Sequence, residues 1–186
     1  MTIQIDTREK KRAIKNIKLY FDRQHIQYFD SKLFVGDYMS LDNPRLIIDR
    51  KKDLPELCGN VYGQTKVYKK NKEGEFILDE KGNKIVDHII DHHKRFKGEL
   101  TRAQDNGIKL IILCEHGGNI KRLEDVNKWY NPRLKKSPLA VSGQRLFKIL
   151  STMSKTYNVD FLFCNKSETG KRIIEILTKE NENNGI

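Results

Sequence analysis

Gly36-Asp37-Tyr38 is followed, after a strand-like stretch and the turn signal Asp42-Asn43-Pro44, by Ile47-Ile48-Asp49-Arg50-Lys51. A carboxylate, a gap of about one hairpin and then Asp-x-Lys is a pattern with chemical content. Side chains alternate along a strand, so Asp49 and Lys51 project to one face, and a hairpin returning from Asp37 brings the first carboxylate beside them. Two carboxylates held close repel each other unless a cation joins them. Hard oxygen donors without Cys or His favour Mg²⁺ or Mn²⁺ over zinc. Such an ion lowers the pKa of a bound water and neutralises charge building on a phosphate, while the Lys51 ammonium orients that water or steadies a phosphoryl oxygen. This is the logic of metal-dependent phosphodiester hydrolysis. The setting strengthens the reading, because Asp49 ends the apolar Leu46-Ile47-Ile48, and Asp6-Thr7-Arg8-Glu9 leaves an N-terminal strand in the same manner. Charged residues at the mouths of buried strands are poor core and good site material.

The elements that must position these groups are legible in outline. Thr2-Ile3-Gln4-Ile5 alternates as a short half-buried strand, and Ala13, Ile14, Ile17, Tyr20 and Phe21 give an amphipathic helix over 11–24. Gln27–Phe29, Leu33–Val35, Tyr38–Leu41 and Arg45–Asp49 read as successive short strands, and 53–60 as a short helix. Residues 61–86 form an excursion in which 75–78 and 84–86 pair around a Gly-containing turn. Ile89, His93, Phe96, Leu100 and Ala103 predict a helix over 87–106, and the apolar run 109–115 a strand buried on both faces. Residues 117–138 read as a long, partly mobile basic loop. Leu146, Ile149, Leu150, Met153 and Tyr157 mark a helix, 159–164 a second buried strand, and Ser167 the cap of a last helix that carries Ile173, Ile174, Ile176 and Leu177. The end from Glu180 is expected to fray. The sum is one α/β domain over 1–186, a restriction-endonuclease-like mixed central sheet flanked by helices.

At 186 residues and 37% hydrophobic composition the chain is long enough for one core and too apolar for disorder. No apolar run approaches the roughly 18 residues of a membrane span, and no secretory leader opens the sequence, so no membrane association is expected. Cys58, Cys114 and Cys164 are too widely spaced for a disulfide framework or a zinc site, which points to a reducing, cytoplasmic setting. A net charge of +11 favours a polyanionic partner such as nucleic acid.

Other motifs compete for attention. His88 and His92, four apart in the predicted helix, suggest a metal pair, but no third ligand is placed by spacing. Cys114 and Cys164 read as small core residues, and Gly170-Lys171 lacks the flanking residues of a phosphate-binding loop. Tyr68 among Lys66, Lys69, Lys70 and Lys72 reads equally as a phosphate-tracking arm with a base-stacking ring or as a solvated loop. Trp129-Tyr130 beside Arg133, Lys135 and Lys136 either stacks on unpaired bases or packs locally.

Ile5-Asp6-Thr7-Arg8-Glu9, Gly36-Asp37-Tyr38 and Asp49-Arg50-Lys51-Lys52-Asp53-Leu54 resemble, in order and spacing, the D-x-R-E, G-D-Y and E-R-K-x-x-D-L motifs of the xeroderma pigmentosum group F nuclease domain family, within the PD-(D/E)xK superfamily. The resemblance extends over nearly the whole chain, through the helix around Glu99–Gln104, the strand ending in Glu115 and the helix after Lys166–Gly170. It implies a divalent-metal-dependent endonuclease that cuts branched, flapped or forked DNA near junctions, works with Mg²⁺ or Mn²⁺, and pairs as a homodimer through its last two helices. By position, Asp6, Asp37 and Asp49 resemble the metal-binding carboxylates, Lys51 the catalytic lysine, and Arg8 and Glu9 the supporting pair. Arg50, Lys52, Lys69, Lys70, Arg133, Lys135 and Lys136 are the expected DNA contacts. Asp49 stands where the family has Glu, one methylene shorter. A tandem helix-hairpin-helix module of the kind that often follows such domains is not expected, so affinity for DNA is expected from the nuclease domain, the excursion or a partner. A non-catalytic DNA-binding or scaffolding subunit is the alternative, and the intact acidic motifs disfavour it.

Overall fold

The computed structural model describes residues 1–182, the last four of these by backbone only. Its centre is a six-stranded mixed sheet in the order β2-β1-β3-β4-β7-β8, built from β1 (Thr2–Ile5), β2 (Gln27–Asp30), β3 (Tyr38–Ser40), β4 (Asn43–Lys51), β7 (Lys109–Glu115) and β8 (Asp160–Cys164). β3 runs antiparallel to both neighbours, whereas β4, β7 and β8 are parallel, as are β1 and β2. The parallel neighbours β4 and β7 therefore end on the same side of the sheet, with Lys51 registered against Cys114.

Alternation along the strands sorts the core into two layers. Ile47, Leu110, Ile112, Cys114, Phe161 and Phe163 face α2 (Leu54–Tyr62), α3 (His92–Asp105) and α4 (Gly143–Tyr157). Ile3, Ile5, Leu46, Ile48, Ile111 and Leu113 face α1 (Lys15–Arg23) and α5 (Thr169–Glu182). The mixed sheet flanked by helices is thus observed, with β7 buried on both faces as its sequence predicts.

Several elements differ from the sequence reading. Helix α1 begins only at Lys15, and Ala13 lies exposed outside it. Leu33–Val35 is not a strand: the segment is a loop leading into Gly36, and Phe34 points into solvent. Asp87–Asp91 is not helical. It lies in β6 (Val86–Asp91), paired antiparallel with β5 (Gln64–Tyr68) in a separate two-stranded ribbon. The apolar spacing of Ile89, Phe96 and Leu100 mimics a helix across this junction, but Asp91 caps α3 at its true start by accepting from the Lys94 N–H. The expected pairing of 75–78 with 84–86 is present as a Leu78–Lys84 bridge, wedged beside Lys69 and Lys70.

Residues 117–138 carry two 3₁₀ turns, Leu123–Lys128 and Pro132–Lys135, pinned by buried Val126 and by Asn131, which donates to the Val141 carbonyl at 2.8 Å. Ser167 does not cap the last helix. Asn165 precedes it, and its backbone N–H donates to Glu168 at 3.1 Å. Helix α5 continues through Glu180 to Glu182, and the residues beyond lie outside the described ones. Leu146, Ile173, Ile176 and Leu177, expected to supply a dimer surface, are buried in the chain's own core. All three cysteines are buried and free. No described helix is long and apolar enough to cross a membrane.

Candidate active site

Strand β4 ends in three consecutive charged residues, and the alternation that sorts the core also separates them. Asp49 and Lys51 continue the Ile47 face toward α3, while Arg50 continues the Ile48 face toward α1 and α5. The result is two charge clusters, one on each side of a single strand end.

On the α3 side, Lys51 Nζ lies 2.7 Å from Asp49 Oδ1 and 2.6 Å from Oδ2, and 5.5 Å above the centre of the Phe96 ring. Asp49 is 3% exposed, and its Oδ2 receives no aligned hydrogen bond despite the nearby ammonium. Asp37 joins the pair from the start of β3. One of its oxygens accepts the Arg50 N–H at 2.8 Å, and its own N–H donates to the Ile48 carbonyl at 2.8 Å. The turn that delivers it requires glycine: Gly36 has a φ of +65°, and a Cβ there would stand 2.5 Å from Ile47 Cγ2 and 3.0 Å from the Ile48 carbonyl oxygen. Glu99 on α3 accepts the Gly36 N–H at 3.1 Å and faces Asp49 and Lys51.

The electrostatics follow from burial and crowding. Burial raises the Asp37 pKa first, with repulsion from Glu9 adding to it. At Asp49, burial again raises the pKa, against the attraction of Lys51, and Asp37 repels it further. Glu99 is raised by burial and by Asp49. Burial alone would discharge Lys51, but Asp49 and Asp37 outweigh it and hold the ammonium charged.

On the opposite side, Arg50 reaches Glu9 at 2.7 Å and Glu115 at 3.2 Å, with its side chain only 8% exposed. Thr169 at the start of α5 donates to Glu115 at 2.9 Å. Tyr38 Oη, Arg50 Nε and Glu115 Oε2 are buried without hydrogen bonds. Arg50, expected to touch DNA, is thus enclosed within the protein, because the alternation that turns Asp49 and Lys51 to one face commits Arg50 to the other.

The Asp6 backbone N–H donates to the Asp37 carbonyl at 2.8 Å, while its carboxylate is engaged elsewhere. Its oxygens accept from the Arg8 N–H and Nε at 2.7 Å each, from Arg8 Nη2 at 3.0 Å and from the Leu33 N–H at 2.6 Å. Burial opposes its ionisation, yet the hydrogen bonds from Arg8 and Leu33 hold the carboxyl below the usual range. Asp6 anchors Arg8 and the loop after β2. Glu9, read from the sequence as paired with Arg8 in support of the site, contacts Arg50 instead.

Whether these residues fit a divalent ion is answered by Asp37 and Asp49. They are mutually repelling oxygen donors with an orphaned lone pair on Asp49, and a small hard cation typically rests on one or two carboxylates, with water and phosphate oxygens completing its shell. Among the described residues, no three His, Cys, Asp or Glu side chains form a complete ligand set. His88 and His92 are not such a pair: one contacts Asp87 at 2.8 Å, the other Thr65 at 2.7 Å.

Of the remaining sequence candidates, Lys52, Lys69, Lys70, Arg133, Lys135 and Lys136 are exposed. Tyr68 is not an open stacking surface, because Phe76 meets it edge-on with ring centres 6.1 Å apart and Lys84 lies over both rings. Trp129 packs against the core beside His116, whereas Tyr130 is exposed. Sequence reasoning misses Glu99, Glu115 and Thr169 as parts of the site. For Glu115 a signal exists, a carboxylate that ends the apolar run of β7 as Asp49 ends that of β4.

No family model matches the chain, and no curated protein matches it by sequence. Solved structures do. XPF from Aeropyrum pernix superposes with a TM-score of 0.59 at 14% identity, covering 97% of this chain. The same protein in complex with DNA gives 0.57 at 12% identity, covering 100% of this chain. The chain spans 65% of the length of the first and 67% of the second. The likeness carried by three short motifs is therefore also a likeness of the whole fold, and that fold is the one seen in XPF.

Proposed function

We propose that the chain is a divalent-metal-dependent DNA endonuclease that hydrolyses phosphodiester bonds near branched, flapped or forked junctions. The observation that supports it most directly is the buried pair Asp37 and Asp49 with Lys51 between them and the α3 face, at one end of an XPF-like sheet. Asp37 and Asp49 would hold Mg²⁺ or Mn²⁺. When bound, such an ion supplies Lewis acidity toward a phosphoryl oxygen and toward water.

The chain's own residues set the rest. Displacing the Lys51 ammonium from its grip on Asp49 frees both an anionic ligand and a cation, and the ammonium then steadies a phosphoryl oxygen as negative charge builds. Glu99 fixes Gly36 and so the position of Asp37. Arg50, held by Glu9 and Glu115, orients Asp37 through its backbone N–H. The XPF complex with DNA supports a nucleic-acid partner, as does the net charge of +11. The homodimer rests on the family resemblance alone, and sedimentation at micromolar concentration tests it.

The deciding experiment incubates the protein with Mg²⁺ and labelled flap, fork, four-way and linear substrates. Cleavage of branched forms that Asp49→Asn abolishes supports the reading. Binding of DNA with no cleavage under Mg²⁺ or Mn²⁺ favours the scaffolding subunit instead.

A further inference from the structure

Helix α3 carries two stripes. Phe96, Leu100 and Ala103 enter the core, and beside them His92, Arg95, Glu99 and Arg102 recur at spacings of three and four residues. This polar stripe forms one wall of a cavity of about 220 Å³ whose other walls are Asn60 of α2 and Arg8.

The cavity adjoins the carboxylate pair through three residues. Glu99 faces both Asp49 and the cavity, the Phe96 ring carries the Lys51 ammonium, and Arg8 is close enough to feel Asp37 and Glu99. Its charge is unbalanced. Arg8 is matched by Asp6, but among the described residues neither Arg95 nor Arg102 has a carboxylate within ion-pair distance, leaving two guanidiniums against Glu99. Arg95 and Arg102 are exposed, so they are free to turn toward a ligand. Planar guanidinium forks match phosphate oxygens bidentately. Of the two aromatic rings in the lining, Phe96 is 3% exposed and offers no face for a base to stack on, and the His92 ring is tied to Thr65 at 2.7 Å.

We infer that this pocket holds a backbone phosphate of the strand presented to Asp37 and Asp49, a neighbour of the phosphate that is cut, and holds it without reading a base. The inference rests on the nuclease reading above. It assigns Arg95 and Arg102 a substrate-binding role, with Arg8 and Asn60 completing the walls. His92 links the pocket to the ribbon, since its ring meets Thr65 at 2.7 Å and its N–H donates to the Gly63 carbonyl at 3.0 Å. A strand seated in the pocket therefore passes the root of β5 and β6.

The test is a methylphosphonate scan of a flap substrate, read by fluorescence anisotropy in EDTA, where nothing is cut. Each backbone phosphate is neutralised in turn and the wild type is compared with Arg95→Gln/Arg102→Gln. The wild type is expected to lose affinity on the order of tenfold at one or two adjacent positions, as when a charge-assisted hydrogen bond is removed. The double variant should already bind more weakly, with a salt slope flatter by about one unit for each phosphate it no longer neutralises, and should be indifferent to the same substitutions. Its far-UV circular dichroism and melting temperature should match the wild type, because both side chains are exposed. A variant that keeps wild-type affinity, salt slope and sensitivity to every methylphosphonate overturns the pocket. Failure of the nuclease reading is a separate result. In that case the scan still gives its pattern in EDTA while no metal supports cleavage, whereas absence of the pattern in a chain that cleaves normally removes only the pocket.

Discussion

The strand end of β4 and the β5–β6 ribbon hold comparable densities of charge and use them in opposite ways. At the strand end, Asp37, Asp49, Lys51, Arg50, Glu9 and Glu115 are packed against one another and hold one another in position, and burial and mutual charge shift Asp37, Asp49 and Lys51 together. On the ribbon, Lys66, Lys69, Lys70 and Lys72 stand in water beside acidic residues such as Glu73 and Glu75, and Lys70 and Lys84 rest on the Phe76 ring. Buried charges cannot be changed singly without stranding a partner, whereas exposed ones are nearly independent. The first region is therefore suited to a fixed chemical geometry, the second to adjustable contact with a long polyanion.

The largest expected effect lies in the enclosed region. Asp49→Asn and Asp37→Asn should each lower cleavage on the order of a thousandfold, since each removes several kcal/mol of transition-state stabilisation, while DNA binding in EDTA stays near wild type. Lys51→Ala should behave alike. Recovery of Lys51→Ala activity by extra Mg²⁺ alone would place the ammonium outside the chemistry.

Arg50→Ala comes next and is a stability experiment. It leaves Glu9 and Glu115 buried without their cation and should cost about 3–5 kcal/mol in urea unfolding. A change under about 1 kcal/mol would mean that water reaches the cluster.

The third effect is a pH dependence whose sign follows from the raised carboxyls. A carboxyl whose folded pKa lies above its unfolded one contributes stability at low pH and loses it as pH rises from the unfolded value through the folded one. In EDTA, Asp37→Asn should therefore be more stable than wild type at pH 8, by about 2–3 kcal/mol for a carboxyl raised to about 6, with the advantage vanishing near pH 4. Mg²⁺ should reverse the order at pH 8, because only the ionised pair holds it, and should raise the wild-type melting temperature less at pH 5.5 than at pH 8. Equal shifts at both pH values would locate the ion elsewhere.

The smallest effect belongs to the exposed region. Neutralising Lys69 and Lys70, or Arg133, Lys135 and Lys136, should leave stability within about 0.5 kcal/mol. It should also flatten the salt dependence of DNA binding by about one unit for each phosphate left without its cation. An unchanged slope would make these side chains a solvated face and transfer the task to residues around the carboxylates.

The two regions also differ in how far their structure can be read from sequence. Period-two alternation puts Asp49 and Lys51 on one face and equally requires Arg50 on the other, so the burial of Arg50 is open to inference, and only its charge beside the acidic cluster, which reads as a DNA contact, points the other way. Glu99 is hidden for a different reason. It lies about fifty residues downstream on a helix whose apolar stripe draws attention away from its polar one, and only the packing of α2 and α3 beside β4 brings it to Gly36. The ribbon misleads because Ile89, Phe96 and Leu100 share helical spacing across a boundary that strand pairing with Gln64–Tyr68 decides. The partner of Asp6 is hidden as well, since the Leu33 N–H that meets its carboxylate belongs to a loop whose sequence reads as a strand.

Arg50 is gripped by Glu9 from the N-terminal end and by Glu115 sixty-five positions further on, and Thr169 from the last helix secures Glu115. The Arg50 charge, unlike the Asp49–Lys51 pair formed within β4 itself, is thus fully compensated only when the beginning, middle and end of the chain have met. A state that buries Arg50 before they meet carries an uncompensated ion, a penalty that depopulates it. Closing such distant contacts is slow. The Arg50 cluster therefore doubles as a folding checkpoint: a chain in which Glu9 and Glu115 both hold Arg50 has, by the same contacts, completed its fold.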